Sequence, residues 1–177
     1  MSVEAIIDGE TTHIGALNIG IPIVGKLEQR LASVSWVLGK HDQNLVYVGG
    51  PAKCEVVPDL LRQFAVSEGN GSVNADVHQR REEFAAFLRE HIHPQYLLAD
   101  TVLTGVGFHY GNMPSTVRKT PEEYFASGDL SYLACTTTLL AGVNLPAKNL
   151  LEFIPIKPLV AMALNARESY ARHSRLP

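Results

Sequence analysis

Residues 130–149 read Leu130-Ser-Tyr-Leu-Ala-Cys-Thr-Thr-Thr-Leu-Leu-Ala-Gly-Val-Asn-Leu-Pro-Ala-Lys-Asn149. Leu130 to Cys135 is a short run dominated by apolar residues and is expected to be a buried strand. It runs directly into Thr136, Thr137 and Thr138, where a short helical turn is expected to begin. In open α/β sheets, ligands bind at the carboxyl ends of the strands. Threonine hydroxyls beside the free N–H groups of a helix start suit a phosphate oxygen. Gly142 permits a turn or a close approach of backbone to ligand, and Asn144 offers both a donor and an acceptor. On the residues alone two readings stand side by side: a phosphate or nucleotide site, and a strand edge capped by threonines.

Outward from this stretch, strands alternate with helices. Asn44 to Val48 is an apolar run closed by Gly49-Gly50-Pro51, the pattern of a buried strand and a tight turn. Val106 to Phe108 is a further strand, and Lys148 to Phe153 another. Between them, Leu27, Leu31, Val34 and Leu38 recur at helical spacing, with Gly39 expected just past the helix end. A helix carrying Leu60, Leu61 and Phe64 is expected to break or restart at Pro58. Asp76 to His91 reads as a charged helix with Phe84, Phe87 and Leu88 inward, and Tyr96 to Leu103 as another, ended by Gly105. Thr120-Pro-Glu-Glu123 has the form of a capping box with proline at the first helical position. Residues 158–173 are expected to form a last helix. Residues 66–73 form a polar, glycine-rich loop, and residues 1–24 read as an extension or interdomain connection. Alternating strands and helices imply an α/β fold, a parallel sheet covered by helices on both faces.

The chain has 177 residues, enough for one domain with short additions. With 15 Lys and Arg against 18 Asp and Glu, its net charge of −3 excludes a polybasic binder. Any contact with nucleic acid must come from a local surface. Cys54 and Cys135 lie in apolar surroundings and are expected to be small buried hydrophobes. Reduced thiols and the lack of a signal-peptide layout point to a cytoplasmic location, and no apolar run has the roughly 20 residues of a membrane helix. The histidines are scattered, and His91 and His93 lack ligand spacing, so no metal site is expected.

The stretch Leu133-Ala-Cys-Thr-Thr-Thr-Leu-Leu-Ala-Gly-Val-Asn-Leu-Pro-Ala-Lys-Asn149 resembles motif V of the DExH, superkiller-type branch of superfamily-two helicases. Gly105-Val-Gly-Phe-His-Tyr-Gly-Asn-Met-Pro-Ser-Thr-Val-Arg118 resembles the segment preceding it in that branch, and Asn44 to Glu55 resembles motif IV. Order and spacing agree along residues 26–150. The resemblance implies the second RecA-like domain, spanning residues 25–155, of an ATP-dependent nucleic-acid helicase. By the same resemblance Thr136 contacts the backbone phosphate, with Thr137 and Thr138 sharing that role. His109, Gly111, Gly49 and Gly50 would follow the strand path. Gly142, Val143 and Asn144 would lie toward the ATP cleft and couple it to the nucleic-acid track. The implied partners are a single strand of RNA or DNA and the first RecA-like domain of the same protein. The implied cofactors are ATP and Mg2+ in the full-length protein, with none bound to this chain alone.

The chain departs from that family in three ways. It has no DExH string, and after Phe153 it lacks the Gln-x-x-Gly-Arg-x-Gly-Arg pattern of motif VI, since Arg167, Arg172 and Arg175 do not fit it. Gly49-Gly50 replaces the usual polar pair after the motif IV strand. Residues 156–177 are accordingly expected as a C-terminal helix, truncated before or lacking motif VI, and the isolated chain is expected to hydrolyse no ATP. A degenerate RecA-like binding or regulatory module is the alternative. Gly20-Ile-Pro-Ile-Val-Gly25-Lys26-Leu27 has P-loop spacing, but Leu27 cannot supply the magnesium-ligating hydroxyl.

Overall fold

The computed structural model describes residues 2–7, 10–16, 23–69, 73–140, 145–154 and 159–164. Its centre is a five-stranded sheet of β3 (Asn44–Tyr47), β4 (Val106–His109), β5 (Tyr132–Cys135), β6 (Asn149–Ile154) and β7 (Leu159–Leu164), in the order β4-β5-β3-β6-β7. Four of the five strands are parallel: β3 pairs with both β5 and β6, and β4 pairs with β5. The register sets Tyr47 opposite Cys135, and Cys135 opposite His109. Helices flank the sheet, and the parallel α/β architecture is RecA-like.

The strands are short apolar runs because a parallel strand covered by helices has no solvated side to fill with polar residues. All four residues of β4 and of β5 are buried. α1 (Leu27–Gly39) packs against β3 and β6, and α2 (Lys53–Ser67) against β4 and β5. α3 (Ala75–His91) lies on α4 (Leu97–Leu103), which covers β4. α5 (Ser115–Arg118) and α6 (Thr120–Ala126) connect β4 to β5, and the four-residue α7 (Thr137–Leu140) follows β5. Phe108, Phe125, Leu133, Leu88, Val46 and Leu151 are fully buried in one core, each side chain contributing roughly 1.5–3 kcal/mol.

Several local expectations are corrected. Pro58 does not break α2, which runs through it from Lys53 to Ser67. Gly39 is the last helical residue, not the one beyond, and Lys40 caps α1 in a right-handed helical conformation. The glycine is required by space: a Cβ there would sit 2.5 Å from the Asn44 side chain. That side chain is fully buried, donates to the carbonyls of Gly39 and Asp42 at 2.7 and 2.6 Å, and accepts from Asn149 Nδ2 at 2.9 Å. Thr120 is not the cap of α6. Lys119 holds that position without a side-chain cap, while Pro121 sits in the first turn. Residues 10–16 pair antiparallel with residues 2–7 as β2 (Glu10–Ala16) and β1 (Ser2–Ile7), where only an extension was expected. Part of the expected last helix is strand: β7 pairs antiparallel with β6, Ile154 opposite Leu159. Its six residues Leu-Val-Ala-Met-Ala-Leu have no polar face to make an amphipathic helix. Residues 165–177 lie outside the described part.

Candidate nucleic-acid interface

Three of the predicted segments meet at one edge of the sheet. β4, β5 and β3 are adjacent, parallel and in register, so their carboxyl ends come out together. Gly49 and Gly50 follow β3, His109 to Gly111 end β4, and Thr136 and Thr137 follow β5. Backbone hydrogen bonds stitch the edge: Val48 N–H donates to the Cys135 carbonyl at 2.9 Å, and Thr136 N–H to the His109 carbonyl at 3.4 Å.

The members differ in access. Gly49 is exposed and Gly50 half-buried, and a Cβ at either would meet open space. Thr136 is 8% exposed, whereas Thr137 beside it is open to solvent. α7 begins there but is only four residues long. Thr138 lies within α7. Gly111 is half-buried, and its carbonyl accepts from Arg118 Nη1 at 3.3 Å. Gly142, Val143 and Asn144 lie outside the described residues.

His109 faces inward. It is 4% exposed, and its Nε2 lies 2.9 Å from Glu122 Oε1. Its Nδ1 is buried with no hydrogen-bond partner. Burial pushes the imidazole pKa down, helped by the nearby Arg118 charge, and burial pushes that of Glu122 up. Both shifts express one fact, that charge is expensive in this part of the core. What His109 offers at the edge is its carbonyl, which also accepts from Cys54 Sγ at 3.5 Å.

A clamp that sequence reading missed fixes the approach to β5. Arg80 donates from Nε and Nη2 to the two carboxylate oxygens of Asp129 at 2.9 and 2.6 Å, and Ser127 Oγ donates to Oδ2 at 2.9 Å. These hydrogen bonds, Arg80 first, hold the Asp129 carboxyl below the usual carboxylate range. Arg81, buried, donates from Nε to the Asp129 carbonyl at 2.7 Å. The one available signal was the Arg80-Arg81 pair on a helix whose apolar face points inward.

Lys53, at the start of α2, is paired with Glu28 at 3.2 Å. Together they border a cleft of about 230 Å³ between α1, α2 and the ends of β3 and β6. Lys26, of the P-loop-like spacing, is the cap of α1, and its backbone N–H donates to Gln29 Oε1 at 2.8 Å. Residues 20–22 lie outside the described part. Cys54 and Cys135 are fully buried, as expected, and burial pushes the Cys54 thiol up to about 12. Among the described residues no group of three or more His, Cys, Asp or Glu could hold a metal ion, and no helix is long and apolar enough to cross a membrane.

No protein-family model matches the chain. Among curated proteins it is similar to "Helicase POLQ-like" of Drosophila melanogaster, 38% identical over 115 residues, which is 63% of this chain and 10% of that one. It is also similar to "ATP-dependent DNA helicase Hel308" of Aeropyrum pernix, 43% identical over 51 residues, or 29% of this chain and 7% of that protein. "Anti-bacteriophage protein B" of Escherichia coli matches at 30% over 113 residues, 63% of this chain and 14% of that one. Part of the chain is therefore helicase-related, and it spans only a small fraction of these relatives.

Proposed function

We propose that the chain forms the second RecA-like domain of an ATP-dependent nucleic-acid helicase, with the carboxyl edge of its sheet lying along the backbone of a single strand. The observation that carries this is the meeting of Gly49-Gly50, His109–Gly111 and Thr136-Thr137 at one edge, in a chain similar to proteins named as helicases. Thr136 and Thr137 bring hydroxyls there, and the glycines after β3 leave room for a sugar-phosphate chain. With a net charge of −3 the chain has no bulk attraction for phosphate. Grip therefore depends on local donors and on the remainder of the protein.

Among the described residues no group of three or more His, Cys, Asp or Glu could hold a metal ion, and no step through ATP or its metal is assigned to them. In this reading ATP and Mg2+ belong to a cleft completed by the first RecA-like domain. Gly142, Val143 and Asn144 couple that cleft to the strand.

The test is fluorescence anisotropy with labelled single strands of several sequences and the full-length protein. Thr136→Val and Thr137→Val each keep shape and remove a hydroxyl. Losing a phosphate hydrogen bond of about 1 kcal/mol weakens binding about fivefold. The loss should be equal across sequences, because phosphate contacts carry no base information. Unchanged affinity in both variants, or a loss that varies strongly with sequence, would defeat the assignment.

A further inference from the structure

We infer that Glu122 is a positioning residue for the strand-binding edge: it fixes the tautomer and ring of His109 and, through the His109 carbonyl, the amide of Thr136. This inference rests on the proposed function only for its consequence in strand binding. The link itself stands on geometry.

An ionised carboxylate accepts hydrogen bonds and donates none. Glu122 Oε1 lies 2.9 Å from His109 Nε2, so the neutral ring must carry its proton on Nε2. Nδ1 is then a bare acceptor, buried and without a partner. With Nδ1 unsatisfied, Glu122 is the side chain that anchors the ring. If it is lost, the ring has every incentive to turn, because an imidazole with two unsatisfied nitrogens in a core carries a second desolvation penalty.

The same residue's backbone ends β4. Its carbonyl receives the Thr136 N–H at 3.4 Å and Cys54 Sγ at 3.5 Å, from the strand and the helix on either side. The backbone that carries the ring therefore also holds the first residue after β5. The other groups facing the pair are Arg118 on α5 and Lys119 and Glu123 beside Glu122, while Cys54 Sγ lies against the His109 carbonyl. Lys119 is paired with Glu123 at 3.1 Å, and Arg118 with the Gly111 carbonyl at 3.3 Å. Neither is placed as a substitute acceptor for Nε2–H, since both are donors.

The experiment is NMR of the full chain. Long-range imidazole proton–nitrogen correlations report the His109 tautomer, and the Thr136 amide reports its shift and hydrogen exchange. The wild-type ring should be neutral at pH 7 with its proton on Nε2. Glu122→Leu should abolish that pure tautomer, shift the Thr136 amide and speed its exchange about threefold to fivefold. If Glu122→Leu does not fold, Glu122→Gln carries the test, because an amide donates as well as accepts and both tautomers should then be populated. A pure Nε2–H tautomer with an unmoved Thr136 amide, in whichever variant folds, overturns the inference. Strand affinity is measured alongside. If ring and amide respond but the wild-type full-length protein binds no strand, the proposed function fails while the positioning link stands.

Discussion

Gly105→Ala tests the clamp beneath the start of β5. Gly105 has φ +81°, in the left-handed region, where a residue with a Cβ is strained by about 1–2 kcal/mol. The added methyl group would also stand 2.7 Å from Arg81 Nη2, 3.1 Å from Cζ and 3.2 Å from Nη1. The guanidinium must move, and it is buried and tied through Nε to the Asp129 carbonyl at 2.7 Å. Breaking a hydrogen bond from a charged donor costs about 1.5–3 kcal/mol. The two effects together predict a loss of roughly 2.5–5 kcal/mol, a large share of the 5–15 kcal/mol typical of whole domains. Urea unfolding followed by circular dichroism measures it as a fall in midpoint at constant slope. The decisive comparison is a double-mutant cycle with Arg81→Met. In that background the collision is gone and only the φ strain, about 1–2 kcal/mol, should remain. If Gly105→Ala costs the same with and without Arg81, the account of the clamp is wrong.

Three further outcomes follow from charge and burial. Asp129, whose pKa is lowered in the fold chiefly by Arg80, stabilises the protein above its unfolded pKa of about 4, and that contribution fades as pH falls through the lower folded value. Asp129→Asn should therefore be less stable at pH 7 and show a shallower acid loss below about pH 4; an unaltered acid limb in thermal melts would contradict the pairing. His109 acts at higher pH: its lowered pKa means the unfolded chain takes up the proton first, so stability falls as pH drops below about 6.5. Cys54, with its thiol pushed up to about 12, and the fully buried Cys135 should react with alkylating reagents at pH 8 only as fast as the domain opens. Rapid labelling under native conditions would show that the core around these thiols is open.

The parallel strands were legible because full burial makes them continuous apolar runs: Asn44–Tyr47, Val106–His109 and Tyr132–Cys135 each stand out between polar or glycine-rich neighbours. Their common edge followed from spacing and resemblance. The Leu159–Leu164 run was not decidable alone, since a short apolar segment fits a buried helix as well as a strand, and pairing with β6 makes the choice. In the first hairpin a signal was present and overlooked: Asp8-Gly9 stands between Ile7 and Glu10, which pair across β1 and β2. The capping pattern at Thr120 misled because its carboxylates have other work. Glu122 is taken by His109, and Glu123 by Lys119. Such long-range attachments have no local period. Asn44 heads a run read as an apolar strand, yet its buried amide ties α1, β3 and β6 together.

The pairing of β3 has a consequence for synthesis. Asn44 reaches across to Ser131, 87 residues later in the chain. At roughly 5–20 residues per second, β3 leaves the ribosome several seconds before either strand that will flank it. For that interval Leu45, Val46 and Val48 form an apolar segment with unclaimed backbone donors and acceptors, the kind of element that recruits other nascent chains. Asn44 at its head and the glycine pair behind it are then gatekeepers, interrupting a run that would otherwise be a template for aggregation.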